Sequence, residues 1–112
     1  MTKDVDRVAY RDVLDETIIK LLELDMSIDD LYITKENFTI DIDELLERSS
    51  LNIEFEDLKK DLCGQLNTKL KTLKINTNQN QLKQKFTKAQ ALGLFLKHMK
   101  NDSLENKNIN IY

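Results

Sequence analysis

Two side chains in this 112-residue chain carry chemistry of their own, His98 and Cys63, and each is the single residue of its type. One imidazole is one donor of the three or four that a zinc ion needs, and a lone thiol forms neither an internal disulfide nor a thiolate zinc site. Cys63 reads as a half-buried inert thiol, and His98 as a helix-end residue near the negative end of the helix dipole. The neighbouring carboxylates Asp29-Asp30 and Asp41/Asp43 suit turns and helix caps better than a catalytic cleft. With two glycines in the chain there is no glycine-rich phosphate loop, and no Ser/His/Asp set is visible. The expectation is a protein that is not an enzyme and needs no cofactor or metal.

Charge is the second chemistry on offer. Residues 1–56 hold 16 Asp/Glu against 6 Lys/Arg, and residues 57–112 hold 4 against 11. Either the two halves face each other and neutralise within one fold, or the surface is dipolar and offers one face to a partner of opposite charge. The basic half contains no Arg, the residue best suited to bidentate phosphate and base contacts, so nucleic acid is not the expected partner. No run approaches the about 18 apolar residues that cross a bilayer, and the charged start MTKDVDRVAYRD is unlike a signal peptide. A cytoplasmic protein with no membrane partner is expected.

The elements that position these residues come from periodicity. At this length, with no Pro and no flexible linker, the chain forms one domain, residues 1–112. Val5, Val8, Tyr10, Leu14, Ile18, Leu21 and Leu22 recur at three and four residues, predicting an amphipathic helix from Asp4 to about Leu24 within residues 1–25. Its charged face carries Asp12, Asp15, Glu16 and Glu23. Asp29 to Phe38 is a connection with room for a turn of helix or an edge strand. Thr39 or Asp41 caps a shorter helix over Asp41–Arg48, with Ile42, Leu45 and Leu46 on one face. The alternations Leu51, Ile53, Phe55 and Leu73, Ile75 each predict a half-buried strand, joined by a polar turn region pivoting on Gly64. A third helix runs from about Gln81 to Met99, with Leu82, Phe86, Ala89, Gly93 and Leu96 as its core stripe. Gly93 costs a helix about 1 kcal/mol relative to Ala, which predicts a neighbour packed directly on it. The polar tail, residues 101–112, can fray or add an edge strand through its INIY end. The order reads as α+β, a small antiparallel sheet packed against about three helices.

The stretch INTNQNQLKQKFTKAQALGLFLKH adds a family signal. It resembles the ImmA/IrrE family of small zinc metallopeptidases, in which a strand ending in Ile-Asn leads to Phe-Thr, Ala and a helix bearing H-E-x-x-H. Ile75, Asn76, Phe86, Thr87, Ala89, Leu92, Gly93 and His98 carry the likeness, which spans about residues 41–98 and implies a truncated zincin-like core. Such an enzyme needs two imidazoles one helical turn apart and a Glu beside the first. Those three positions here are Gln90, Ala91 and Leu94, none of which binds zinc or acts as a base. The family's third ligand lies on a later helix, and fourteen residues follow His98.

The resemblance implies a pseudo-peptidase. Gln90, Ala91, Leu94 and Lys97 are the candidate partner-binding residues, on a flank covered either by the chain itself or by a partner protein. Active relatives sit beside helix-turn-helix repressors, so a repressor or other regulator is the expected partner, bound without being cut. The Lys-, Asn- and Ile-heavy usage fits an AT-rich phage or mobile-element genome. The alternative is an inhibitor of a host enzyme or defence nuclease, mimicking nucleic acid with the face Asp12, Asp15, Glu16, Glu23.

Overall fold

A computed structural model of the chain describes residues 7–34, 39–101 and 107–112. The expected N-terminal helix is three elements instead: strand β1 (Arg7–Ala9), one turn of helix α1 (Tyr10–Val13) and helix α2 (Glu16–Glu23); the stretch it was expected to begin on, residues 4–6, lies outside the described residues. The break falls at Leu14 and Asp15, both extended. Asp15 accepts a hydrogen bond from the Thr17 amide and so starts a new helix, the local competition through which Asp disfavours helix interiors. Tertiary bonds reinforce the break. The Tyr10 amide donates to Leu31 O at 3.0 Å, and the buried Tyr10 hydroxyl accepts from the Asp41 amide at 2.9 Å. The connection after α2 contains strand β2 (Tyr32–Thr34), antiparallel to β1 with Val8 opposite Ile33. Helix α3 (Ile42–Arg48) forms where expected, its Asp41 cap accepting from Glu44 N at 3.1 Å.

The main sheet has four strands, β3 (Asn52–Glu56), β4 (Gly64–Asn67), β5 (Thr72–Asn76) and β6 (Asn108–Ile111), in the order β3-β5-β4-β6. It is mixed rather than wholly antiparallel. β3 runs parallel to β5, with Ile53 opposite Leu73 and Phe55 opposite Ile75, because β4 occupies β5's hairpin side. The expected turn around Gly64 is therefore the start of a strand. Gly64 is required there by contact: a Cβ would lie 2.7 Å from Lys74 O and 2.9 Å from Thr87 Cγ2, so glycine lets the covering helix sit close to the sheet. The tail supplies β6, antiparallel to β4 and forming one edge of the sheet.

Alternation then sorts the two faces. Ile53, Leu73, Ile75, Leu66, Ile109 and Ile111 belong to the core, with Leu66, Leu73 and Ile75 fully buried. The register sets Glu54, Lys74, Gln65 and Asn110 in one polar row on the other face, where Gln65 and Asn67 donate to Asn110 and Asn108.

Helix α4 (Gln81–Lys100) starts at Asn80, whose side chain accepts from Lys83 N at 2.8 Å. Its buried residues are Thr87, Ala91, Leu92, Phe95 and Leu96. The expected core stripe is thus misplaced at its start, since Leu82 and Phe86 are 65% and 67% exposed. The sheet lies beneath the side carrying Thr87, beside Gly64, while Leu92 and Leu96 turn toward α2 and α3. Among the described residues no helix is long and apolar enough to cross a membrane.

Candidate functional site

Where α2, α3 and α4 meet, they leave an apolar groove with a cavity of about 410 Å3. Leu14, Ile18, Leu21 and Leu22 form its α2 side, Ile40, Ile42 and Leu45 its α3 side, and Ala89, Leu92, Gly93 and Leu96 its α4 wall. Among the described residues, Lys97 is the one lining residue with a charge. The two small residues, Ala89 and Gly93, fall one turn apart on α4 and keep this wall low. Gly93 is open: among the described residues a Cβ built there would meet nothing within 4 Å, so none of them is the neighbour expected to pack on it. Ile18 is 45% exposed at the rim. A second hollow shares Leu21 and is lined by Lys20 and Lys100, so Lys20, Lys97 and Lys100 give the α2/α4 end of this surface a positive charge.

The sequence-derived positions on α4 do not form one surface. Ala91 is fully buried and Leu94 is half-buried against the core, so the chain itself covers Ala91, and Leu94 in part. Gln90 and Lys97 are exposed, and of the four only Lys97 lines the groove. His98 is half-buried in the last turn of α4, with Lys97 and Lys100, where cations complement the helix dipole. Cys63 is half-buried; its amide donates to Ile111 O at 2.7 Å and its carbonyl accepts from Asn76 N at 3.0 Å. Among the described residues no group of three or more His, Cys, Asp or Glu is placed to hold a metal ion.

The acidic residues have work within the chain. Asp15 caps α2, Glu16 pairs with Lys20 at 3.5 Å, and Glu23 joins Asp29 in clamping Arg11; Asp12 is exposed. The hydrogen bonds that the Arg11 guanidinium donates to Glu23 and then to Asp29 raise its pKa above the ordinary value. Arg48 makes a parallel clamp, bidentate to Asp30 at 2.6 and 3.0 Å, with further bonds to Glu44 and to Ser27 O. Its hydrogen bonds hold the Asp30 carboxyl below the usual carboxylate range. Asp25 accepts from both the amide and the hydroxyl of Ser50. These bonds tie the loop between α2 and β2 to α1, α2 and α3, and the fully buried Ile28 is its apolar anchor.

Asn76 has a structural role that the sequence reading did not assign to it. It is fully buried. Its Oδ1 accepts from the amides of Leu58 and Asn78 at 3.1 and 2.9 Å, and its Nδ2 donates to Lys59 O and Leu62 O at 2.8 and 2.5 Å. All four amide valences are used, joining the loop after β3 to the loop after β5.

Comparison of the chain with protein-family models, curated proteins and solved structures returns no match.

Proposed function

We propose that this chain is a catalytically silent regulatory binding protein whose α2–α3–α4 groove takes an amphipathic helix from a protein partner. The observation that carries the reading is the groove itself, almost wholly apolar and open at Gly93. A cleft between helices is filled best by another helix, whose side-chain ridges seat in the existing grooves, and a glycine lets its backbone approach closely. Lys20, Lys97 and Lys100 at one end favour acidic residues on the incoming helix. The family likeness supplies the partner class, a helix-turn-helix repressor of the phage or mobile element, and such a protein offers helices. Binding that prefers the free repressor over its DNA complex would shift that equilibrium without any cleavage. The nucleic-acid-mimic reading draws no support from a face whose Asp15, Glu16 and Glu23 already cap or pair within the chain.

The test is an NMR titration of the labelled protein with purified helix-turn-helix regulators encoded beside its gene. Amide shifts at Leu21, Gly93 and Leu96 are expected, and Gly93→Phe, which fills the groove, should remove them. A regulator that leaves these amides unmoved at micromolar concentration, or one bound equally by Gly93→Phe, overturns the reading.

A further inference from the structure

A different surface carries a second recognition function, independent of the helical groove. We infer that the open edge of β3 takes up an extended segment of a protein partner in which apolar and basic residues alternate, adding a fifth strand to the sheet.

β3 has one neighbour, β5, and is an edge of the sheet among the described residues. The Asn52 amide donates to Lys71 O and the Glu56 carbonyl accepts from Thr77 N, so in this parallel pair the backbone groups of residues 52, 54 and 56 point toward β5. Those of Ile53 and Phe55 therefore point to the open side, where a further strand would bond them. The edge lies in a trough. One cavity of about 450 Å3 is lined by Phe55 with Leu82, Lys85 and Lys88 of α4, and a second of about 310 Å3 by Asn52, Ile53 and Phe55 with Leu46 of α3. The two share Asp43, Phe55 and Lys88. Phe55 is 55% exposed, with Lys88 Nζ 5.5 Å from its ring centre.

Charge fixes the pattern of the incoming strand. On the helix side, Phe55 and Leu82 favour apolar residues; Lys88 is paired with Asp43 at 2.8 Å, and Lys85 disfavours a cation there. On the polar face, Glu54 and Glu56 stand at the edge and share one cation of β5, Lys74, which lies opposite Glu54 in the register and reaches Glu56 at 3.1 Å, so the pair keeps a net negative charge. A basic residue opposite Glu54 and an apolar one opposite Phe55 meet both faces. A second copy of this chain meets them poorly: the antiparallel register that sets Ile53 against Phe55 places Glu54 opposite Glu54, a like-charge pair, and the one that sets Ile53 against Ile53 offers Glu54 only Asn52, with no cation.

The probes are two capped heptapeptides, one alternating Val and Lys and one alternating Val and Glu, titrated into the full chain with amide exchange and NMR shifts as readout. The Val/Lys peptide should shift and protect the Ile53 and Phe55 amides, with the Val/Glu peptide about tenfold weaker. Glu54→Lys, at an exposed site, should invert that preference without unfolding the chain. Equal response to both peptides, no inversion in Glu54→Lys, or no response at millimolar peptide overturns the inference. Shifts confined to Leu21, Gly93 and Leu96 also overturn it while leaving the helical groove standing.

Discussion

Asn76 is the residue whose loss the structure prices most directly. Replacing it with Ala strands two amide donors, Leu58 and Asn78, and two carbonyls, Lys59 and Leu62. Each bond contributes about 1 kcal/mol net, and more where the abandoned group stays dry. Lys59 and Asn78 are exposed enough for water to replace their bonds, while Leu62 is buried, so Asn76→Ala should cost about 3 kcal/mol. Against a total stability of about 5–15 kcal/mol for a domain, that is a large share. Asn76→Asp separates hydrogen bonding from shape. It keeps both acceptor bonds and turns a carboxylate oxygen toward the two carbonyls. Burial and those carbonyls raise the folded carboxyl pKa above the unfolded value of about 3.9. The deficit relative to wild type is then smallest below pH about 3.9, grows as pH rises toward the folded pKa, and levels off above it. Urea unfolding across this range, at unchanged m-value, reads both variants. A cost below about 1 kcal/mol for Asn76→Ala, or a pH-independent deficit for Asn76→Asp, refutes the assignment of the side chain as the tie between the loops.

The two glycines should respond in opposite directions. Gly93→Ala, mid-helix with an open Cβ position, should gain about 1 kcal/mol by denaturant unfolding, whereas Gly64→Ala drives a methyl against Lys74 O and Thr87 and should lower the midpoint clearly. Arg48→Met should return the Asp30 carboxyl to its usual range in a carbon-detected titration. Because Arg48 depresses that pKa, the clamp's contribution is present above the unfolded carboxylate range and lost as pH falls through the lower folded value. Ala91→Glu places a carboxylate at a fully buried site and should destabilise by about 3 kcal/mol or more in thermal unfolding; an unchanged melting temperature in Ala91→Glu would mean that the sheet side of α4 is open to water.

Local signals in the sequence were sufficient where local physics decides the outcome. The Ile42, Leu45, Leu46 spacing predicts α3 and alternation predicts β3 and β5; of the two caps offered, Thr39 and Asp41, the fold uses Asp41, and of the two outcomes for the tail it takes the strand. What failed was decided across the chain. The helix expected through Leu14 breaks because Asp15 caps a new start and Tyr10 is drawn to Leu31 and Asp41. The strand at Gly64 was hidden because GQLN offers one large apolar residue, and its place between β5 and β6 is a tertiary fact. Parallel pairing of β3 with β5 follows from that insertion, which no single strand's pattern encodes. The face of α4 was misread because Leu82, Phe86, Leu92, Leu94, Phe95 and Leu96 spread round the helix, so a wheel offers several stripes and the sheet selects one. The charge asymmetry was partly resolved within the fold: Lys88 reaches Asp43 at 2.8 Å and Lys74 reaches Glu56 at 3.1 Å across the two halves, while Arg11 and Arg48 neutralise carboxylates inside the acidic half.

The candidate site turns on one conflict between stability and shape. Gly93 lowers the stability of α4, and no side chain or backbone among the described residues packs where its Cβ would be. Folding alone therefore favours Ala or a larger apolar residue, which would close the groove and bury more of Ile18 and Leu21. At Gly64 the same residue type is explained by the 2.7 Å approach of Lys74 O; at Gly93 nothing among the described residues supplies the reason. The helix partner proposed above would account for such a residue, as a trade of stability for function at an open site. Measuring partner affinity and unfolding midpoint together for Gly93→Ala tests that argument: the midpoint should rise while the affinity falls. A variant that gains stability and keeps full affinity would place the partner elsewhere, with the open edge of β3 as the surface to examine next.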